Sequence, residues 1–182
     1  MVGTSSGSGF VGTGILLTNR SVYANFLSLS GQERMTNISP AERARQCADA
    51  MWQNDAASKY LGIEVLSVGP GTASLQMRIE NQHLNGHGLC HGGFIFTLAD
   101  SAFAYACNSY NQVTVAQQAA ISFISPVQPG DLLTATAREV NRSGRSGIYD
   151  IKVIRTDGHV VAEFRGCSRS VRGTNYDELK DD

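Results

Sequence analysis

Apolar and polar side chains alternate strictly along residues 72–79. The apolar members of this stretch are Ala73, Leu75, Met77 and Ile79. A period of two residues is typical of a strand that has one face in the core and the other in solvent. Residues 61–68 form a second apolar stretch, and a Gly-Pro-Gly sequence at 69–71 separates the two. The pattern therefore predicts a β-hairpin.

A different pattern, apolar on almost every face, covers residues 92–107. Its apolar members include Phe94, Ile95, Phe96, Leu98, Ala99, Ala102, Phe103 and Ala106. A helix of this composition is expected inside a protein core, and the polar residues near Asn111 are expected to end it. Asp100 is the one carboxylate between residues 87 and 107. Because burial of its charge is costly, Asp100 requires either a bonding partner or a function that uses it.

The rest of the chain adds one helix and four strands. Ser39, Pro40 and Glu42 have the spacing of a helix start, and this helix is expected to reach about Gln53. Strands are predicted at residues 113–124, 132–140, 149–153 and 160–171. We expect these four strands to form a meander, with a hairpin loop over residues 141–147. The sequence therefore predicts an α+β fold, in which an antiparallel sheet of about six strands wraps around one long central helix.

The composition narrows the class of protein. The 182 residues are 42% hydrophobic and 17% charged, which fits a single folded domain. A formal net charge of −1, with both signs interspersed, gives no basic patch for nucleic acid or for a membrane surface. No apolar run approaches the roughly 18 residues of a membrane span. The cysteines are scattered and lack a Cys-x-x-Cys pair, which indicates reduced thiols in the cytoplasm.

The first 34 residues differ from the rest because they are rich in Gly, Ser and Thr and lack strong periodicity. They also lack the basic residues that precede the apolar stretch of a signal peptide. We expect a flexible extension over residues 1–34 or an upstream start, with Met35 as a plausible natural start. The folded domain is expected to cover residues 35–172, followed by a C-terminal tail over residues 173–182.

Gly92 and Gly93 begin the predicted apolar helix. The first N–H groups of a helix have no internal acceptor and can bind an oxyanion, although the glycines could instead simply form a tight turn. Asp100 could be bonded to a strand or a core arginine, or it could be a general base or a nucleophile. Eight helical residues separate Gly92 from Asp100 by about 12 Å, whereas a donor and a base must both lie about 3 Å from the reacting group. If both act on one carbonyl, they come from two copies of the chain, so this use predicts a dimer with two equivalent sites.

The polar loop before the helix holds further candidates. His83, His87 and His91 recur at every fourth residue, a spacing that could bind a metal on a helix, but the glycines between them favour a loop. His91 could orient the loop or a substrate carbonyl, and Asn85 could hold a water or a carbonyl through its amide. Cys90 is an alternative nucleophile if its surroundings stabilise a thiolate. A serine triad lacks support because no Gly-x-Ser-x-Gly sequence is present.

The stretch HLNGHGLCHGGFIFTLADSAFAYACNS resembles the phenylacetyl-CoA thioesterase family of phenylacetate degradation, which belongs to the hotdog-fold thioesterases. The resemblance covers residues 45–172 and includes YDIKVIRTDGHVVAEFRG. It implies a sheet wrapped around the helix, dimers joined edge to edge, and often tetramers formed as dimers of dimers. It also implies hydrolysis of acyl-CoA thioesters without a metal or another cofactor. Aryl- or hydroxylated arylacetyl-CoA is the expected substrate.

The resemblance also implies a role for each catalytic candidate. The Gly92 N–H would polarise the thioester carbonyl, and Asp100 of the partner subunit would activate water or attack directly. Asn85 and His91 would position the water and the acyl group. The sequence departs from many relatives at Ser125, where a basic residue is common before the proline. Rival functions are an acyl-CoA-binding or sensing module without turnover, and a hydratase or dehydratase that leaves the thioester intact.

Arg142 and Arg145 lie on either side of a predicted hairpin tip. They are either solvated turn residues or a pair that binds phosphate through charge-assisted hydrogen bonds. The resemblance implies that they meet the phosphates of coenzyme A. Together with Gly93, they are the expected substrate-binding residues.

Overall fold

The computed structural model describes residues 38–178, so the extension predicted over residues 1–34 lies outside the described residues. Helix α1 (Pro40–Asn54) begins as predicted. The Ser39 side chain accepts a hydrogen bond from the backbone N–H of Glu42 at 3.1 Å and satisfies one of the donors that a helix start leaves open. A five-residue helix, α2 (Ala56–Tyr60), follows, and the Asp55 side chain caps it in the same way.

The described chain continues with six strands and one long helix. The strands are β1 (Ile63–Gly69), β2 (Thr72–Arg78), β3 (Thr114–Phe123), β4 (Leu132–Ser143), β5 (Ser146–Arg155) and β6 (Val160–Ser170). Helix α3 (Gly92–Cys107) lies between β2 and β3 in the chain, and a 3₁₀ turn (Asn81–His83) precedes it. The predicted elements are confirmed with three differences. The short helix α2 was not predicted. Helix α3 ends at Cys107, before Asn111, and β4 extends into the predicted loop over residues 141–147, so that only two residues separate it from β5.

The strands form one antiparallel sheet in the order β1-β2-β4-β5-β6-β3. The predicted meander of four strands is therefore wrong, because β3 pairs with β6 and only β4, β5 and β6 follow one another as neighbours. An alternating pattern identifies a strand but does not specify its partner, and consecutive strands are neighbours in only about two-thirds of cases. The result is a sheet with β1 at one edge and β3 at the other.

Helix α3 contacts all six strands of the sheet, which confirms the predicted sheet around a central helix. Its buried side chains include Phe103, whose ring centroid lies 5.4 Å from that of Tyr149 and 6.1 Å from that of Phe164. A Cβ atom at Gly166 of β6 would lie 2.9 Å from the Phe103 ring, so the absence of a side chain there permits this close packing. Loss of the buried ring in Phe103→Ala would typically cost about 3–5 kcal/mol of stability.

One face of α3 is only partly buried, although its composition suggested burial all round. The residues of this open face are Thr97, Asp100, Ser101 and Ala104. Their spacing places them on one side of a helix. Asp100 therefore lies on the side of the central helix that the sheet does not cover completely.

The described part of the predicted C-terminal tail, residues 173–178, contacts the domain. The carboxylate of Glu178 forms an ion pair with Arg43 of α1 at 2.6 Å. The side-chain oxygen of Asn111 accepts hydrogen bonds from the backbone N–H groups of Asn175 and Tyr176. Asn111 has a φ of 56°, a left-handed conformation that asparagine adopts more easily than most residues. These contacts attach the segment to α1 and to the turn that follows α3.

Candidate active site

The loop before α3 is shaped by Asn85. Its side-chain oxygen accepts hydrogen bonds from the backbone N–H groups of His87 at 2.8 Å and Leu89 at 3.3 Å. Its backbone N–H donates to the Leu89 carbonyl at 2.7 Å. Within residues 38–178, no acceptor is bonded to the side-chain Nδ2 of Asn85. Because the oxygen is already engaged, the Asn85 amide can act on a ligand as a donor.

His91 caps the start of α3 and distinguishes the two glycines. Its Nδ1 atom accepts a hydrogen bond from the Gly93 N–H at 2.9 Å, which leaves the proton of the neutral ring on Nε2. The Gly93 N–H is therefore already bonded. No acceptor from residues 38–178 is bonded to the Gly92 N–H, so the helix start directs one open donor outward. The structure thus gives Gly92 and Gly93 different roles, which sequence spacing did not distinguish.

Asp100 lies on the open face of α3, and no cation or hydrogen-bond donor of the described residues is bonded to it. Burial raises the pKa of the Asp100 carboxyl above its usual value, and no charged neighbour contributes. The alternative in which the acid is held by a strand or a core arginine is thus not seen in residues 38–178. A desolvated carboxylate without a partner is a suitable general base, because its affinity for a proton is increased.

A cavity of about 430 Å³ is lined in part by Gly92, the residue that carries the open donor. Its lining is mainly apolar, and Asn85 contributes a polar group. The volume lies within the usual range for small-molecule sites. The cavity brings together Asn85 and Gly92, as the sequence suggested, and Asp100 is not among its lining residues. It also includes Phe123 of β3, which sequence analysis did not identify, because only the fold brings the end of β3 to the start of α3.

The three histidines of the loop lie in different surroundings. His83 is buried, and its Nδ1 atom accepts a hydrogen bond from the Glu80 N–H at 3.1 Å, whereas His87 and His91 are exposed. The loop predicted from the intervening glycines is confirmed, so the regular spacing does not place the histidines on one helical face. Residues 38–178 contain no cluster of three or more His, Cys, Asp and Glu side chains that could hold a metal ion.

Cys90 lines the same cavity but is poorly suited to nucleophilic attack. Burial raises the pKa of its thiol to about 11. The thiol thus carries its proton at neutral pH, and the thiolate that attack requires is scarce. Its Sγ atom lies 3.6 Å from the carbonyl oxygen of His91, an acceptor that favours the protonated form.

Arg142 and Arg145 lie at a second cavity, of about 690 Å³, which is separate from the one beside Gly92. The Arg142 guanidinium stacks on the ring of Tyr110 at 3.8 Å, and the Arg145 Nε donates to the Ser170 carbonyl at 2.9 Å. Arg172 also lines this cavity. Sequence analysis missed Arg172 because it lies beyond the last predicted strand and is far from the hairpin in the chain. Three arginines around one cavity form a site of positive charge suited to phosphate.

No helix within residues 38–178 is long and apolar enough to cross a membrane. An antiparallel sheet of six strands wrapped around one long helix is the arrangement of the hotdog fold. The chain belongs to the Thioesterase superfamily, whose family model matches residues 87–162. The predicted family and fold are therefore confirmed.

Individual relatives narrow this assignment. The chain is 46% identical to the acyl-coenzyme A thioesterase PaaI of Escherichia coli strain K12 over 134 residues, which make up 74% of this chain and 96% of that protein. The solved structure of the E. coli PaaI protein, from the phenylacetic acid degradation operon, superimposes with a TM-score of 0.74 and covers 75% of this chain and 99% of its own. A mutant of the phenylacetic acid degradation protein PaaI from Thermus thermophilus is 37% identical, with a TM-score of 0.61 over 63% of this chain and 97% of its own.

Proposed function

We propose that this protein is an acyl-CoA thioesterase that hydrolyses aryl- or hydroxylated arylacetyl-CoA to the free acid and coenzyme A. The proposal rests on two groups of helix α3, the N–H of Gly92 and the carboxyl of Asp100, neither of which is bonded to a partner within residues 38–178. Its close relative is named an acyl-coenzyme A thioesterase. The mainly apolar cavity beside Gly92 suits an aryl group.

The proposed site is shared between two copies of the chain. Helix α3 runs without a break from Gly92 to Cys107, so the donor and the acid of one copy are about 12 Å apart. One carbonyl cannot contact both. The second copy is expected to dock on the open face of α3 and along β3, whose outer edge has no neighbouring strand in residues 38–178 and exposes Val115 and Phe123. A two-fold axis then places Gly92 of one subunit near Asp100 of the other, in a homodimer or a dimer of dimers.

In this mechanism the Gly92 N–H binds the thioester oxygen and stabilises the negative charge that develops there. Asp100 of the partner subunit takes a proton from a water molecule while the water oxygen attacks the carbonyl carbon. The tetrahedral intermediate then collapses, the carbon–sulfur bond breaks, and the sulfur leaves with the electron pair and takes up the proton. The Asn85 amide and the His91 Nε2–H position the water and the acyl group. Direct attack by the Asp100 carboxylate is the alternative first step.

The arginine cavity is proposed to bind the phosphates of coenzyme A. Tyr110 and Gln112 place this cavity at the start of β3, whereas the Gly92 cavity lies at the end of β3. If two β3 strands pair antiparallel around a two-fold axis, the start of one lies beside the end of the other. Arg142 and Arg145 of one subunit would then face the acyl cavity of the other, and coenzyme A would extend between them. Gly93, whose N–H is bonded to His91, would contribute an exposed backbone surface to the same path.

The setting proposed for this reaction is the cytoplasm. All four cysteines of the chain are free thiols in the structure. Free thiols persist in a reducing compartment such as the cytoplasm.

The test is the release of free coenzyme A from phenylacetyl-CoA, followed with a thiol reagent. A thioesterase releases one thiol for each ester consumed and produces phenylacetate. A sensing module would bind the ester without releasing thiol, and a hydratase or dehydratase would alter only acyl chains that offer it a double bond or a hydroxyl. Binding of several acyl-CoA esters without thiol release would refute the proposed function.

A further inference from the structure

Phe123, the last residue of β3, has an unusual position. It points toward α3, since the tip of its ring would lie 2.9 Å from a Cβ atom placed on Gly92. Residues that point from a sheet toward its packed helix are normally covered, yet 54% of Phe123 is exposed. The ring therefore lies beside the open N–H donor of the proposed site, and part of it faces the cavity.

The other residues around this ring indicate what could cover it. Leu89, Ile95 and Val127 line the same cavity and extend the apolar surface that begins with Phe123. The polar side chains of the cavity include Asn85, in the loop before α3, and Ser125, which follows β3. A ligand whose carbonyl oxygen is bound by the Gly92 N–H would thus have its acyl group beside an aromatic ring. Aromatic rings pair favourably with other rings in stacked or edge-to-face geometry, a preference that a linear alkyl chain cannot use.

We propose that Phe123 is a specificity-determining residue, whose ring selects aryl over linear acyl groups. The inference rests on the proposed thioesterase function and deepens it. Gly92 contributes to this selectivity, because only a residue without a side chain lets the Phe123 ring lie against the start of the helix. The ring then lies next to the reacting carbonyl, and the acyl group contacts the ring when the carbonyl oxygen is bound by the Gly92 N–H.

The test compares kcat/KM for phenylacetyl-CoA and hexanoyl-CoA in the wild type and in Phe123→Leu. Leucine keeps the site apolar but removes the aromatic ring. We expect the wild type to favour phenylacetyl-CoA, and we expect the ratio of the two kcat/KM values to fall about tenfold in the variant, mainly through the aryl substrate. Phe123→Tyr keeps a ring and should retain most of the ratio. Phe96→Leu is the matched control, because Phe96 packs against Phe164 and does not line the cavity, so the ratio should be unchanged.

The outcomes separate this inference from the proposed function. If Phe123→Leu cleaves both esters with the wild-type ratio, or if the wild type favours hexanoyl-CoA, the role of Phe123 is refuted while the thioesterase function stands. If both esters lose activity equally and the particle dissociates in size-exclusion chromatography, Phe123 serves the contact between copies and the inference is also refuted. If the wild type releases thiol from neither ester, the proposed function fails and the inference fails with it.

Discussion

Replacement of Asp100 by Asn should change activity and stability in opposite directions. Asparagine has nearly the same shape as aspartate but cannot accept a proton from water. General bases typically contribute about 10²–10⁴-fold to a reaction rate, so kcat should fall by a factor in that range. The folded protein should nevertheless become more stable at neutral pH, because the change removes a desolvated charge that no described residue compensates.

The pH dependence of that stability gain follows from the direction of the shift. Burial raises the pKa of Asp100, so the folded state binds a proton more tightly than the unfolded state does. Stability is therefore lost as the pH rises from the pKa of the unfolded state through that of the folded state. The asparagine variant avoids this loss, which amounts to about 1.4 kcal/mol for each unit by which folding raises the pKa. The gain should be absent near pH 3, increase with pH, and become constant above the raised pKa.

The assay combines thiol release from an acyl-CoA with urea unfolding at several pH values. Asp150→Asn is the matched control, because hydrogen bonds from Arg165 at 2.6 and 2.8 Å lower the pKa of the Asp150 carboxyl. This lowered pKa stabilises the fold above the unfolded pKa, so the control should lose a little stability at neutral pH and keep full activity. A loss of stability in Asp100→Asn at neutral pH would show that the acid has a bonding partner. Wild-type activity in that variant would refute its role as the base.

Three further changes test the proposed site. Gly92→Pro removes the N–H at a helix position that accepts proline and should lower kcat about 10²–10³-fold. Gly92→Ala keeps the N–H, and its main effect should be weaker binding of aryl substrates, because the new side chain displaces the Phe123 ring. Steady-state kinetics distinguishes the two results. Cys90→Ser should retain activity, because the thiol with a pKa of about 11 is not the nucleophile, and inactivation would contradict this. Replacing Arg142 and Arg145 together by Ala should raise KM for acyl-CoA. Hydrolysis of an acyl-pantetheine should be unchanged, because this substrate lacks the nucleotide phosphates. Equal effects on both substrates would refute phosphate binding.

Local features of the fold could be predicted from the sequence because they depend on neighbouring residues. The cap of α1 needs only Ser39 and the N–H three residues later, and the alternation from Ala73 to Ile79 identifies β2 directly. The position of β3 could not be predicted in this way. Its pattern is satisfied by any partner that covers its apolar face, so the pattern did not reveal that β6, rather than β4, is its neighbour.

The same distinction applies to the candidate site. Asn85, His91, Gly92 and Asp100 lie within one short stretch, and the motif they form identified them together. The residues that were missed, Phe123 and Arg172 among them, reach their cavities only through strand pairing. The different roles of Gly92 and Gly93 could not be predicted either, because they depend on the orientation of the His91 ring, which a sequence does not specify.

The shared site can be tested without any structure of the dimer. Asp100→Asn and Gly92→Pro should each retain little activity alone, but a mixed dimer of the two contains one site with both native residues and one site with neither. Random pairing makes about half of the dimers mixed, and each mixed dimer has one intact site of two. About one quarter of all sites are then intact, so coexpression should restore about one quarter of the wild-type activity per subunit. A mixture of Asp100→Asn with Asp100→Ala, in which every site lacks the acid, should restore none. If the coexpressed pair stays as inactive as that control, while size-exclusion chromatography and differential tags show that mixed dimers form, then donor and acid do not act across two copies of the chain. In that case one copy must supply both groups to one carbonyl. An unbroken helix does not allow this, because about 12 Å separates Gly92 from Asp100. The role assigned to Gly92 or to Asp100 would then be wrong.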